Sequence, residues 1–129
     1  MDKKPERKKG VAGIWEAFIY SLDGLKFAIT NETAFLQETC IYVVLLIILY
    51  FLPLSITFKC ILFFANTIVL LVELLNSAIE AIVDMTSLEY HILAKRAKDL
   101  GSAAVLISII IAVVLWLCAI ALMLNSGGV

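Results

Sequence analysis

Glu73, Asn76, Glu80 and Asp84 lie on one face of the otherwise apolar stretch Ile68 to Asp84, with Ser77 beside them. At about 100° per residue, Glu80 and Asp84 fall within roughly 20° of Glu73 on a helix, and Asn76 about 60° to one side. A carboxylate inside a bilayer costs on the order of 3 kcal/mol, so residues of this type seldom sit there passively. Three carboxylates and an amide in register call for a partner. Hard oxygen donors of this kind suit a divalent cation.

The stripe is longer than its acidic end. Lys59, Asn66, Glu73 and Glu80 are spaced by sevens and share one side of the helix. The plain alternative is that these polar groups hold neighbouring helices together, with Lys59 reaching out to the interface. A second acidic pair, Glu32 and Glu38, precedes the first apolar run, at the depth expected for Glu80. Further on, Lys98 and Asp99 stand beside Gly101-Ser102. If a helix starts there, its free amides and the lysine could hold a phosphate. His91 is the lone histidine, and a loop histidine is more often solvated than a ligand. The chain has neither a Walker A motif nor a kinase-type glycine-rich loop, and no Gly-x-Ser-x-Gly elbow.

These residues need a membrane scaffold. The 129 residues are 63% hydrophobic, against roughly 45–50% in soluble domains. The expected organisation is one domain: a basic tail over 1–10, an amphipathic surface helix over 11–31, and transmembrane helices over 39–55, 57–83 and 103–124. Ile14, Phe18, Leu22, Leu25 and Ile29 form the apolar face of the surface helix. Pro53 suits the turn between the first two spans. Lys3, Lys4, Arg7, Lys8 and Lys9 crowd the first ten residues, and Lys95, Arg96 and Lys98 the link before the last span. The positive-inside rule then puts the N-terminus and the second link in the cytoplasm, so that Glu80 and Asp84 point to the compartment where ATP and magnesium are found. Cys40, Cys60 and Cys118 are odd in number and scattered, which argues against a disulfide framework or a zinc site. A net charge of -1 gives no sign of nucleic-acid binding.

The segment from Glu73-Leu74-Leu75-Asn76-Ser77-Ala78-Ile79-Glu80 to Asp84 resembles the signature of the bacterial integral-membrane diacylglycerol kinases. Asn31-Glu32-Thr33-Ala34-Phe35, Glu89-Tyr90-His91 and Arg96-Ala97-Lys98-Asp99-Leu100-Gly101-Ser102 extend the resemblance over most of the chain after residue 13. The resemblance implies transfer of the γ-phosphoryl of ATP to diacylglycerol, giving phosphatidic acid, in the bacterial inner membrane. It also implies an all-α homotrimer of three-span subunits whose active sites are shared between neighbours. On this basis Glu73 would be the general base and Asn76 would orient it. Glu32 and Glu80 would hold Mg2+. Tyr20, Glu89, Tyr90, His91, Lys98 and Asp99 would contact the nucleotide, and Ala34, Phe35, Glu38, Lys59, Ser102 and Trp116 the lipid. The pattern breaks at Gly13, where the family carries a basic residue, and at Ile29, where it carries a tryptophan.

Two rivals stay open at this point. A relative that phosphorylates undecaprenol would keep the same base, metal and nucleotide residues. A small ion- or drug-coupled transporter would also use membrane-embedded glutamates, although it would more naturally centre one carboxylate at mid-membrane. Oligomerisation is expected on physical grounds as well, because three helices offer little shelter to so many polar groups.

Overall fold

The computed structural model describes residues 10–86 and 91–125. It comprises four helices, α1 (Val11–Asn31), α2 (Thr33–Phe51), α3 (Ile56–Thr86) and α4 (Ile92–Asn125), with no strand among the described residues. The fold is all-α. The helices α2, α3 and α4 are long and apolar enough to cross a membrane.

The breaks between helices follow from local chemistry. Glu32 is extended, with φ -102° and ψ 103°, and separates α1 from α2. Its N–H still donates to the Ala28 carbonyl at 3.0 Å, so the chain bends there without coming apart. Pro53 restricts the residue before it to extended backbone. Leu52 accordingly has φ -66° and ψ 138°, and α2 stops at Phe51. The first span expected over 39–55 therefore ends earlier than its apolar run. The side chain of Lys59 returns from the first turn of α3 and donates to the Tyr50 carbonyl at 3.0 Å, satisfying an acceptor that the end of α2 leaves open.

The last helix departs furthest from expectation. It begins at Ile92, not near 103. The run Ile92 to Leu100 holds several charges but no proline or early glycine to stop a helix. Gly101 and Ser102 thus lie deep inside α4, where their amides belong to the helical hydrogen-bond ladder. The expected phosphate-holding helix start at Gly101-Ser102 is incorrect for that reason.

The helices α2, α3 and α4 pack as antiparallel neighbours. Tyr42 and Thr67 share a hydrogen bond of 3.1 Å between α2 and α3. Near the Pro53 turn, Leu49, Leu62 and Ala119 form a buried cluster against which Leu54, Leu115 and Trp116 pack. The most extensive packing is between α3 and α4. The buried residues of α4 are Gly101, Ser108, Ala112 and Ala119, whose spacing keeps them within about 20° of one line. Small residues along one line let two membrane helices approach closely. At Gly101 the approach is limiting, because a Cβ there would overlap the side-chain oxygen of Asn76.

Replacing a helical glycine by alanine ordinarily stabilises by about 1 kcal/mol. The opposite sign is expected for Gly101→Ala, with a lower unfolding temperature in detergent. Adding Asn76→Ala should recover the loss by removing the overlapping atom. A simple gain in stability from Gly101→Ala would contradict the described packing.

Candidate functional site

The site is built on α3, the helix that carries the acidic stripe. Glu73 is only 5% exposed and Asn76 is also buried, while Glu80 is half-buried and Asp84 exposed. The stripe is therefore graded, from a sheltered carboxylate at Glu73 to a solvent-facing one at Asp84, over 11 residues or roughly 16 Å of helix. One protomer achieves this shelter alone: Asn66, Glu73, Asn76 and Ser108 are all buried within it. Glu38 and Glu80 remain half-exposed in the single chain. The small side chains of α4 bring the two helices close enough to seal the stripe.

Other carboxylates come in from neighbouring elements. Glu73 lies within electrostatic reach of Glu80 and of Glu32, at the bend between α1 and α2. Glu38, on the first turns of α2, lies within reach of Glu73. Four carboxylates from two helices and a bend thus share one region, as the sequence implied for Glu32, Glu38, Glu73 and Glu80. Their arrangement is spread out rather than converging. Among the described residues no three His, Cys, Asp or Glu side chains stand together as a metal site. Glu32 and Glu80 still fit magnesium chemically. That ion keeps several waters and takes only one or two protein carboxylates when substrate phosphates complete its shell.

The hydrogen bond of the Asn76 side chain goes to Glu80, not to Glu73: its Nδ2–H donates to Glu80 Oε1 at 3.4 Å. Residues three and four apart on a helix can both pair, and here the amide takes the partner four residues ahead, Glu80. The Asn76 Oδ1 is buried against Gly101 without a hydrogen-bond donor. Asp84 is held by Lys98 of α4 in a 2.7 Å ion pair, with side chains 65% and 38% exposed. The fourth member of the acidic stripe is therefore neutralised by α4. Asp99 pairs one turn back with Lys95 at 2.6 Å. His91 is exposed and precedes α4, its Nδ1 accepting from the Leu93 N–H at 3.2 Å. Glu89 and Tyr90 lie outside the described residues.

Two recesses flank the stripe. One, of about 510 Å³, lies between α1 and α3 and is lined by Glu32, Ser21, Gly24, Ser77 and Ala81. Tyr20 is exposed next to it in sequence, and the Glu16 carboxylate, by its charge first of all, pushes the Tyr20 phenol above its usual value of 10.0. The other, of about 350 Å³, runs between α2, α3 and α4 with nearly all-apolar walls. Its polar lining residues include Glu38, Asn66 and Trp116. There the Trp116 indole N–H donates to Asn66 Oδ1 at 3.0 Å.

The remaining residues expected at the lipid are dispersed. Phe35 is buried, whereas Ala34 and Ser102 are exposed. Lys59 is bound to the Tyr50 carbonyl, and its 21-residue separation from Glu80 sets the two about 30 Å apart along α3. The structure thus brings Glu38 and Trp116 together in one groove and leaves Lys59 at the opposite end of the bundle. Sequence reasoning missed the Asp84–Lys98 pair and the Asn66–Trp116 bond. It also missed the stripe of Gly101, Ser108, Ala112 and Ala119, which its regular spacing could have revealed.

The comparisons with known proteins agree on one family. The family model for prokaryotic diacylglycerol kinase matches residues 19–120. The diacylglycerol kinase of Escherichia coli strain K12 is 46% identical over 107 residues, covering 83% of this chain and 88% of that protein. The diacylglycerol kinase of Pseudomonas aeruginosa is 42% identical over 107 residues, covering 83% and 87%. That of Helicobacter pylori strain 26695 is 38% identical over 112 residues, covering 87% and 88%. The matched region takes in the whole acidic stripe, both recesses and nearly all of the three apolar helices, and the chain, a multi-pass membrane protein and lipid kinase, belongs to the prokaryotic diacylglycerol kinase family.

Proposed function

We propose that this protein transfers the γ-phosphoryl of ATP to the free hydroxyl of diacylglycerol, with Glu73 as general base, yielding phosphatidic acid and ADP. The observation that carries the reading is the placement of Glu73. It is sheltered, about 10 Å deeper along α3 than Glu80, and within reach of Glu38, which lines the apolar groove. A base at that level meets an acceptor whose hydroxyl lies below the headgroups, while the nucleotide is handled nearer the aqueous end.

In the proposed reaction a Glu73 carboxylate oxygen takes the hydroxyl proton of the lipid. The lipid oxygen forms a bond to the γ-phosphorus, the bond from that phosphorus to the bridging oxygen breaks, and ADP leaves with the electron pair. Such reactions depend on positioning and charge neutralisation more than on covalent catalysis. Glu32 and Glu80 would hold Mg2+, which when bound neutralises phosphate charge. Asn76 positions the Glu80 carboxylate through its 3.4 Å hydrogen bond. The recess between α1 and α3 lies beside Glu32, which supports seating the nucleotide there; Tyr20, Glu89, Tyr90 and His91 are proposed as further nucleotide contacts on the family resemblance. Lys98 and Asp99 stand on the same end of α4, and Lys98 must exchange Asp84 for phosphate oxygens to act on ATP. The basic tail and the Lys95-Arg96-Lys98 cluster support a cytoplasmic N-terminus and second link in the inner membrane. Exposed apolar side chains such as Ile47, Leu71 and Ile110 on the three long helices are compatible with a homotrimer that shares its sites between subunits.

The test is phosphate transfer from ATP to diacylglycerol and to undecaprenol, measured side by side in detergent. Glu73→Gln should lower kcat for diacylglycerol by at least about 10²-fold, the usual scale for a lost general base, while nucleotide binding persists. Preference for undecaprenol would change the acceptor and keep the chemistry. Absence of transfer to either lipid by the folded protein would overturn the kinase reading.

Glu80→Gln should instead shift the magnesium dependence. The half-saturating Mg2+ concentration is expected to rise several-fold in an activity titration. An unchanged titration curve would remove Glu80 from the metal.

A further inference from the structure

Asn66 is 4% exposed and lines the apolar groove. Its oxygen is engaged by the Trp116 indole at 3.0 Å. Because an indole nitrogen can only donate, this bond fixes which end of the amide is oxygen, and the Nδ2 end is left over. That nitrogen is buried and has no hydrogen-bond partner. A buried amide donor left unpaired is destabilising. Glue between helices would have both ends of the amide engaged, so the half-used Asn66 marks a place where an acceptor is missing.

The groove's other orphan is an acceptor. Glu38 Oε2 is buried and unpaired, at the level of Glu73. Asn66 lies two turns deeper, about 10 Å from Glu73 along α3. A ligand spanning the two would place a hydroxyl at the carboxylates and a carbonyl oxygen at Asn66. In a 1,2-diacylglycerol the free hydroxyl oxygen and an ester carbonyl oxygen are separated by about 5–7 Å when extended, five bonds for the nearer ester and six for the other, of roughly 1.4 Å each. Two hydrogen bonds of about 3 Å complete the reach. The terminal torsion of an asparagine is soft, so the amide can turn Nδ2 toward the groove while Oδ1 stays on the indole.

We propose that Asn66, held by Trp116, donates its free Nδ2–H to an ester carbonyl of the acceptor lipid and so makes the groove selective for acylglycerols over lipids without a carbonyl. This rests on the reading of the groove as the acceptor site and adds to it a specificity-determining residue. A polyprenol or a dialkylglycerol ether would bury the Asn66 donor with nothing to receive it. Sites that hydrogen-bond a substrate group reject analogues lacking that group strongly, because their own polar atoms are then stranded.

The experiment compares kcat/KM for 1,2-diacylglycerol and the matching 1,2-dialkylglycerol ether in the wild-type protein, Asn66→Leu and Asn66→Ser. The wild type is expected to prefer the ester by at least about 10-fold, the scale of one lost hydrogen bond. Asn66→Leu should abolish the preference by raising KM for the ester while leaving the ether unchanged or improved. Asn66→Ser, which keeps a donor, should restore part of it. Equal use of ester and ether by the wild type overturns the proposal without any variant, and so leaves no room for a folding defect. Equal loss on both lipids in Asn66→Leu, by a variant that still folds, makes the residue structural and also overturns it. In both cases phosphate transfer itself survives in the wild type, so the kinase reading stands. Transfer to neither lipid by the wild type overturns both.

Discussion

An ionisable side chain placed among hydrocarbon must be walled off, and the rest of this fold follows from how Glu73 is enclosed. The wall is α4. Its line of Gly101, Ser108, Ala112 and Ala119 presents almost no side-chain bulk, so α4 lies against α3 closely enough to exclude lipid from the polar stripe. Larger residues there would hold the helices apart and expose the carboxylate. The same closeness explains the lone oxygen of Asn76 under Gly101. The packing that protects one polar group leaves another with no room for a partner.

Burial also separates the chemical jobs of similar residues. Glu73, Glu80 and Asp84 differ little as amino acids and share one helical face. Depth makes them different: one is sealed in, one is half-exposed and bound by an amide, and one is in solvent and tied to a lysine. A single helix crossing from water into hydrocarbon can thus carry a graded series of carboxylates with no change of residue type. The two recesses meet this gradient from opposite sides, one beside Glu32 and one beside Glu38.

Much of this was legible in the sequence, and the limits have physical causes. Helical periodicity found the acidic stripe because an apolar background makes every polar residue conspicuous. Pro53 placed the first turn through its fixed backbone preferences. The start of α4 was misplaced because charge was taken to mean loop, although lysine, arginine and alanine are good helix formers and nothing between Ile92 and Leu100 breaks a helix. Asn76 was assigned to Glu73 because the two share a face, which periodicity alone cannot distinguish from pairing with Glu80. The Asn66–Trp116 bond joins residues 50 apart. No local pattern encodes it, since it depends on the register in which α3 and α4 meet.

The unbroken length of α4 carries a mechanical consequence. Its 34 residues make a rod of about 51 Å, against a hydrocarbon slab of about 30 Å. Lys98, near the end that projects into water, and Trp116, deep in the bundle, ride on that one rigid lever. Gly101 rests on Asn76 between them and acts as a fulcrum. A rigid-body tilt of α4 about that contact would move Lys98 and the Trp116 indole in opposite directions, which would couple the aqueous end to the lipid groove.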